Sequence, residues 1–325
     1  MIKTFLTHTR TIEKLRQQAA LFCAIRHIDD LEALLGLSEY ELNLLSLNPK
    51  YNLFTVPKRD GSKRWIEDPE HELQQVQDKL NDFLQSAYYP QRSDAAYGFM
   101  LCPKGDSQPR HIVTNAARHL GAPWLFNADI EDFFHQVKFE RVYQVFKGEP
   151  FTLEDDLAQL LTRLTTHQER LPMGAPTSPV LSNFATVKLD HDLQQLANWA
   201  GWTCTRYADD MVFSSQNEIT SENIQQIRQI IEDEGYTLKE QKLRLKNLSM
   251  KGSLYYRGMY RPITIQAKRT DEKNEFYING NFNINIHDYF MFSSGRGIPP
   301  RMNINFRMAF DKISPASGII YYRNL

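Results

Sequence analysis

Cysteine is scarce: three in 325 residues, at positions 23, 102 and 204. They are far apart, odd in number and without CxxC or Cys/His spacing, which argues against a disulfide framework and against structural zinc. The expected setting is a reducing, cytoplasmic one. Long apolar runs are also missing. No stretch of about 18 apolar residues exists, so no membrane span is expected. The N-terminal MIKTFLTHTRTIEKLRQ has no sustained apolar core and no small-residue cleavage site, so it does not read as a signal peptide. A charge excess of either sign is absent, since 38 basic and 39 acidic residues leave a net charge of -1. A nucleic-acid surface here must therefore gather its cations locally. What remains is ordinary for a soluble globular chain, 42% hydrophobic and 24% charged, and long enough for two or three packed subdomains.

The periodicity predicts helices over 11–48, where Leu31, Leu34 and Leu35 share a face and Ser38 with Glu41 forms a capping box. Tyr51 to Val56 and Arg64 to Ile66 read as a hairpin around the Arg59-Asp60-Gly61-Ser62 turn. Lys58, Arg59, Lys63 and Arg64 tip this hairpin with cations, either a clamp for phosphates or a charged strand edge. A helix follows over Glu70 to Tyr88, then a short one at about 108–119 and a strand at Trp124 to Asp129. Thr152 is expected to cap a helix to Thr166. The Pro-rich loop Leu171 to Pro179 is expected to open one long helix reaching Ala200. Thr220 or Ser221 caps a helix that Gly235 ends. Residues 238–269 hold nine basic residues against Glu240 alone, interleaved with Tyr255, Tyr256 and Tyr260, a pattern suited to tracking a nucleic-acid backbone. The Asn-rich run Ile278 to Ile286 reads as irregular or a hairpin, and 302–323 as initially helical.

The chemistry centres on Cys204 to Phe213. Asp209 and Asp210 lie between short apolar, β-rich runs, so the stretch reads as a hairpin with Ala208-Asp209-Asp210 at the turn. Adjacent carboxylates repel unless a cation neutralises them, although Asp is also a common turn residue. Asp129, at the C-terminal end of its strand, supplies a third carboxylate. Two neighbouring antiparallel strands would bring the three onto one sheet. Such an oxygen-rich set suits two Mg²⁺ ions roughly 3.5–4 Å apart, the spacing of two-metal phosphoryl chemistry. In-line nucleotidyl transfer would follow, with the hairpin near Arg64 holding a triphosphate.

Asn127-Ala-Asp-Ile-Glu-Asp-Phe-Phe134, Leu171-Pro-Met-Gly-Ala-Pro-Thr-Ser-Pro179 and Tyr207-Ala-Asp-Asp210, in this order, resemble the palm motifs of reverse transcriptases. The resemblance spans about residues 50 to 260. It implies an α+β right-hand polymerase fold of fingers, palm (an antiparallel sheet plus helices) and a small thumb. The expected division is an N-terminal helical segment to residue 50, fingers 51–123, palm 124–250 with a finger insertion at about 140–175, and a palm end and thumb-like region 251–325. It implies Asp129, Asp209 and the Ile130 carbonyl as metal ligands, with Asp210 completing the acidic cluster. Phe134 falls where the family screens the sugar 2′ position. Lys63, Arg64, Gly174 and Lys242 are the further expected dNTP contacts. Lys242 either protonates the leaving pyrophosphate or approaches the triphosphate. Lys58, Asn115, His119, Tyr256 and Arg257 are the expected nucleic-acid contacts.

Within the family, Asn115-Ala-Ala-Arg-His119 matches the NAxxH element of bacterial retron enzymes, and Leu238-Lys-Glu-Gln-Lys242 also agrees. Two positions depart. Met173 stands where many members have Gln, and Tyr256-Arg-Gly-Met259 replaces a Val-Thr-Gly signature. The resemblance implies an RNA-directed DNA polymerase that copies part of a structured non-coding RNA from dNTPs, in antiphage defence with a linked effector protein. A defence polymerase making untemplated or protein-primed DNA, a group II intron-like enzyme, and a polymerase fold serving only as an RNA scaffold are the alternatives.

Overall fold

The computed structural model describes residues 11–58 and 61–247, together with the strand backbones of 266–269, 276–282 and 304–310. The Arg59-Asp60 tip, Tyr256 and Arg257 with the rest of the Tyr256–Met259 stretch, and most of the expected thumb region lie outside the described residues.

The chain opens with α1 (Ile12–Cys23), α2 (Ile28–Leu35) and α3 (Glu39–Leu47). Ser38 and Glu41 cap α3 reciprocally, as their spacing predicts. β1 (Tyr51–Pro57) and β2 (Lys63–Pro69) form a separate antiparallel hairpin, from Tyr51↔Pro69 to Pro57↔Lys63. α4 (His71–Tyr88) buries Leu73, Val76, Leu80 and Leu84 at helical spacing. α5 (Ile112–Ala117) and β3 (Trp124–Asp129) follow, then α6 (Phe133–Gln136), α7 (Phe139–Lys147) and α8 (Asp155–Thr165). α9 (Ser178–Ala185) and α10 (Val187–Ala200) lead into the hairpin β4 (Thr203–Tyr207) and β5 (Asp210–Ser215). α11 (Ser221–Asp233), capped by Thr220, precedes β6 (Arg244–Asn247).

β4-β5-β3-β6 is an antiparallel four-stranded sheet. Phe126 and Phe213 pair across β3 and β5 with ring centroids 6.0 Å apart, both buried in the main core with Leu189, Leu193, Ile227 and Ile231. Each such buried side chain contributes about 1.5–3 kcal/mol. β7 (Gln266–Arg269), β8 (Phe276–Phe282) and β9 (Ile304–Phe310) form a second antiparallel sheet.

Three expectations are corrected. α8 starts at Asp155 with Glu154 as its N-cap, because burial of both Phe151 and Leu153 turns the chain at Thr152, whose φ is +48°. The helix after Pro179 is two helices: Thr186 lies at the break, and its hydroxyl donates to the Ser182 carbonyl at 2.9 Å. Residues 304–310 form a strand. The alternation Ile304, Phe306, Met308, Phe310 is a period of two, which outweighs the helical reading.

Candidate active site

The register Tyr207↔Asp210 leaves Ala208-Asp209 as a two-residue turn, so Asp210 begins β5 and is not itself a turn residue. Ala208 adopts φ +59°. That costs about 1–2 kcal/mol for a residue with a Cβ, so the surroundings must hold it. Gly98 lies against the turn so closely that a Cβ there would sit 2.5 Å from the Ala208 nitrogen. Beneath, the fully buried Arg206 donates from Nη1 to the Ala208 carbonyl at 3.1 Å. Its Nε and Nη2 donate to Asp190 Oδ1 and Oδ2 at 2.6 and 2.8 Å, and both Nη groups reach Asn183 Oδ1. Asn183 Nδ2 closes the network on the Gly98 carbonyl at 3.0 Å. Burial opposes the Arg206 charge, and Asp190 more than offsets it. Sequence reading missed these residues. The available signal was a charged residue inside the apolar strand preceding the Asp pair.

β3 runs antiparallel to β5 and sets Asp129 opposite Asp210. The Ile130 N–H donates to the Asp209 carbonyl at 3.0 Å, and the Asp129 carbonyl accepts from Lys239 N–H at 2.8 Å. Asp129 is buried, and Asp209 and Asp210 are half-buried. The Lys242 ammonium, on a 3-10 turn at Glu240–Lys242, forms an ion pair with Asp129 Oδ2. Burial works against that ammonium. The hydrogen bond to Asp129 and then the charges of Asp129, Asp209 and Asp210 outweigh it and raise the lysine pKa. All three carboxylates thus act on one cation. Among the described residues no three His, Cys, Asp or Glu side chains close tightly around one point, as a formed metal site would require. The donor chemistry nevertheless fits a hard divalent ion, with Lys242 as the stand-in cation on one Asp129 oxygen.

Lys63 and Arg64 are exposed at the start of β2, and the half-buried Lys58 donates its N–H to the Ser62 carbonyl at 2.7 Å. Phe134 stacks on Phe99 at 5.8 Å between centroids and adjoins Phe133. Gly174, an expected dNTP contact, lies against β2: a Cβ there would meet the Glu67 carbonyl at 2.7 Å, and φ is +142°. Met173 pairs with the same strand, accepting the Glu67 N–H at 2.8 Å and donating its own N–H to Glu67 Oε2 at 3.1 Å. Glu67 also binds Arg170 and His135, contacts that sequence reading did not find.

His119 lies apart from the carboxylates. Its Nδ1 is 2.7 Å from Ser214 Oγ and its Nε2 2.7 Å from Thr205 Oγ1, so both ring nitrogens brace β4 and β5. Asn115, on α5, is buried, and its Oδ1 has no hydrogen-bond partner among the described residues.

The reverse transcriptase (RNA-dependent DNA polymerase) family profile matches residues 56–295. The chain is 32% identical over 270 residues to the retron Mx162 reverse transcriptase of Myxococcus xanthus, covering 71% of this chain and 53% of that one. It is 31% identical over 243 residues to the retron Mx65 enzyme of the same organism, covering 67% and 54%. It is 32% identical over 174 residues to the retron Ec86 enzyme of Escherichia coli, covering 52% and 50%. The chain spans about half the length of these curated relatives. Its mixed helices and antiparallel sheets are those of a right-hand polymerase, and the chain belongs to the reverse transcriptase family as a divergent relative of the bacterial retron enzymes.

Proposed function

We propose that the chain is an RNA-directed DNA polymerase of retron type, copying part of a bound structured non-coding RNA into DNA by nucleotidyl transfer. The observation that carries this reading is the β3–β5 register, which sets Asp129 opposite Asp210 with Asp209 on the adjoining turn. Asp129, Asp209, Asp210 and the Ile130 carbonyl would hold two Mg²⁺ ions. Bound there, the ions would supply activation of the attacking hydroxyl and charge stabilisation of the leaving pyrophosphate. Lys63 and Arg64 draw in the triphosphate, and Lys242 moves toward it as it binds. Phe134 rejects the ribose 2′-hydroxyl by its bulk. Lys58, Asn115, His119, Tyr256 and Arg257 serve the RNA side, His119 by holding the sheet. Under the retron reading the primer would be a guanosine 2′-hydroxyl of the same RNA, and the biological role would be antiphage defence alongside a linked effector protein.

Asp209→Asn with Asp210→Asn removes both charges while preserving shape. Primer extension on an RNA template is expected to fall at least about a thousandfold, a loss typical of removing groups that act as a unit. Thermal melting and RNA retention stay near the unmutated values. Undiminished DNA synthesis by the double variant refutes the assignment. Sequencing the copurifying nucleic acid separates the alternatives: DNA of fixed sequence joined 2′–5′ to RNA supports the retron reading, and a homopolymer supports untemplated synthesis.

A further inference from the structure

Glu67 carries a carboxylate only 6% exposed that is shared by three segments. Arg170 grips it with both prongs of its guanidinium, Nη1 to Oε2 at 2.7 Å and Nη2 to Oε1 at 3.0 Å. His135 Nε2 lies 3.1 Å from Oε2, and the Met173 N–H donates to the same oxygen at 3.1 Å. The Glu67 backbone adds its own bond to the Met173 carbonyl, and Gly174 leaves no room between the loop and β2. Sequence distance makes this junction informative. Arg170 is 103 positions from Glu67 and His135 is 68.

Among the described residues the other ties of this hairpin also lie at its base, where Tyr51 accepts from Gln77 Nε2 at 3.0 Å and its ring packs on His167. Leu53, Phe54 and Trp65 are 57%, 46% and 63% exposed, and the buried residues of the two strands, Glu67 and Pro69, lie at the base. Burying a carboxylate is costly, and an apolar side chain of similar size would generally stabilise such a junction as well or better. What the bidentate arginine adds is fixed direction, because its planar fork admits few geometries. Burial alone would raise the Glu67 pKa, and the Arg170 hydrogen bond followed by the Met173 N–H hold it below the usual value. Each of the three joined segments carries a residue expected to meet the nucleotide. β2 carries Lys63 and Arg64, four-residue α6 carries Phe134 directly before His135, and the third segment is the Met173-Gly174 loop.

We propose that Glu67 is a positioning residue for nucleotide selection. Through Arg170, His135 and the Met173 amide it sets the distance between the cationic hairpin and the Phe134 ring. This rests on the polymerase reading above. Phe134 rejects a ribose only if the triphosphate is held at one distance from the ring. A hairpin that tilts would let the sugar shift away from it.

The test uses the full chain with Glu67→Gln, which keeps the shape but presents an amide NH₂ to the guanidinium. The first readout is hydrogen exchange of residues 62–69 and 171–175, which needs no activity. The second is steady-state extension of oligo(dT) on poly(rA), comparing dTTP with UTP. Exchange at both segments is expected to accelerate while β3 and β5 are unchanged. The KM for dTTP is expected to rise about tenfold with kcat within about threefold, and the preference for dTTP over UTP to fall about tenfold, the split that marks lost ground-state positioning. His135→Gln, at the more exposed partner, is expected to shift both quantities the same way by less, and serves as the second variant if Glu67→Gln fails to fold. A folded variant whose exchange, KM and dTTP preference all stay within about twofold of the unmutated chain overturns the proposal. If the unmutated chain extends neither this primer nor its own copurifying RNA, the polymerase reading fails. The exchange experiment then decides the junction by itself, unchanged exchange refuting it.

Discussion

The β4–β5 and β1–β2 hairpins carry opposite charges near their turns and are held in opposite ways. The acidic hairpin β4–β5 has a two-residue turn, β3 beside it in the sheet, and a buried arginine beneath the turn. The basic hairpin β1–β2 is a sheet of two strands with exposed Leu53, Phe54 and Trp65, anchored at its base by Glu67. Both are antiparallel strand pairs, and they differ in what lies underneath. Neighbouring carboxylates repel each other, so their placement must be imposed by the fold. Long cationic side chains that gather a polyanion work from an exposed tip, where they adapt to it.

The sharpest way to break this contrast is Asp190→Asn, which leaves the Arg206 charge buried without its ionic partner. The expected loss is about 3–5 kcal/mol in denaturant unfolding, spread over the whole cooperative transition. A change below about 1 kcal/mol would mean that Asn183 and the Ala208 carbonyl suffice to hold the arginine. The matching change on the basic hairpin is Lys63→Ala with Arg64→Ala. Both are exposed, so stability is expected to stay within about 0.5 kcal/mol. The KM for dNTP is expected to rise about tenfold in primer extension, with kcat little changed. An equal loss of stability in both variants would erase the distinction between the hairpins.

The smallest effect is with pH. His119 braces the acidic hairpin as a neutral ring, its pKa lowered to about 4 by burial first and by neighbouring Arg118 second. The unfolded value is about 6.5, so between these values the unfolded chain binds the extra proton. The contribution of His119 is therefore fully present above about pH 6.5 and is lost progressively as the pH falls toward 4. Melting temperatures measured from pH 7 to 5 should fall more steeply for the unmutated chain than for His119→Gln. Parallel curves would show that His119 does not carry the dependence.

Much of the fold was legible because its signals are local. The Ser38–Glu41 capping box, the leucine stripe of α4 and the apolar runs around the Asp pair each lie within a few turns of chain. The misreadings were also local, at places where a tertiary demand won. Thr152 is turned by burial of the residues on both sides, and Thr186 breaks a helix whose apolar pattern runs straight through. The carboxylates were found because a rare dipeptide, a strand-end Asp and a Pro-Gly loop occur in a fixed order. Glu67 and Asp190 were not found, because a lone acid in a strand or a helix looks like any solvated charge.

By itself, then, the sequence determined the family, the strand carrying Asp129 and the hairpin carrying Asp209 and Asp210, since motif order and side-chain period are properties of a linear chain. Only the tertiary structure decided that Arg206 supports the Asp turn from below, that Gly98 and Gly174 are places where one backbone presses on another, and that Glu67 joins three segments. Ionic partners 16 and 103 positions apart leave no periodic trace. Their pairing is set when burial removes the water that would otherwise solvate each charge separately.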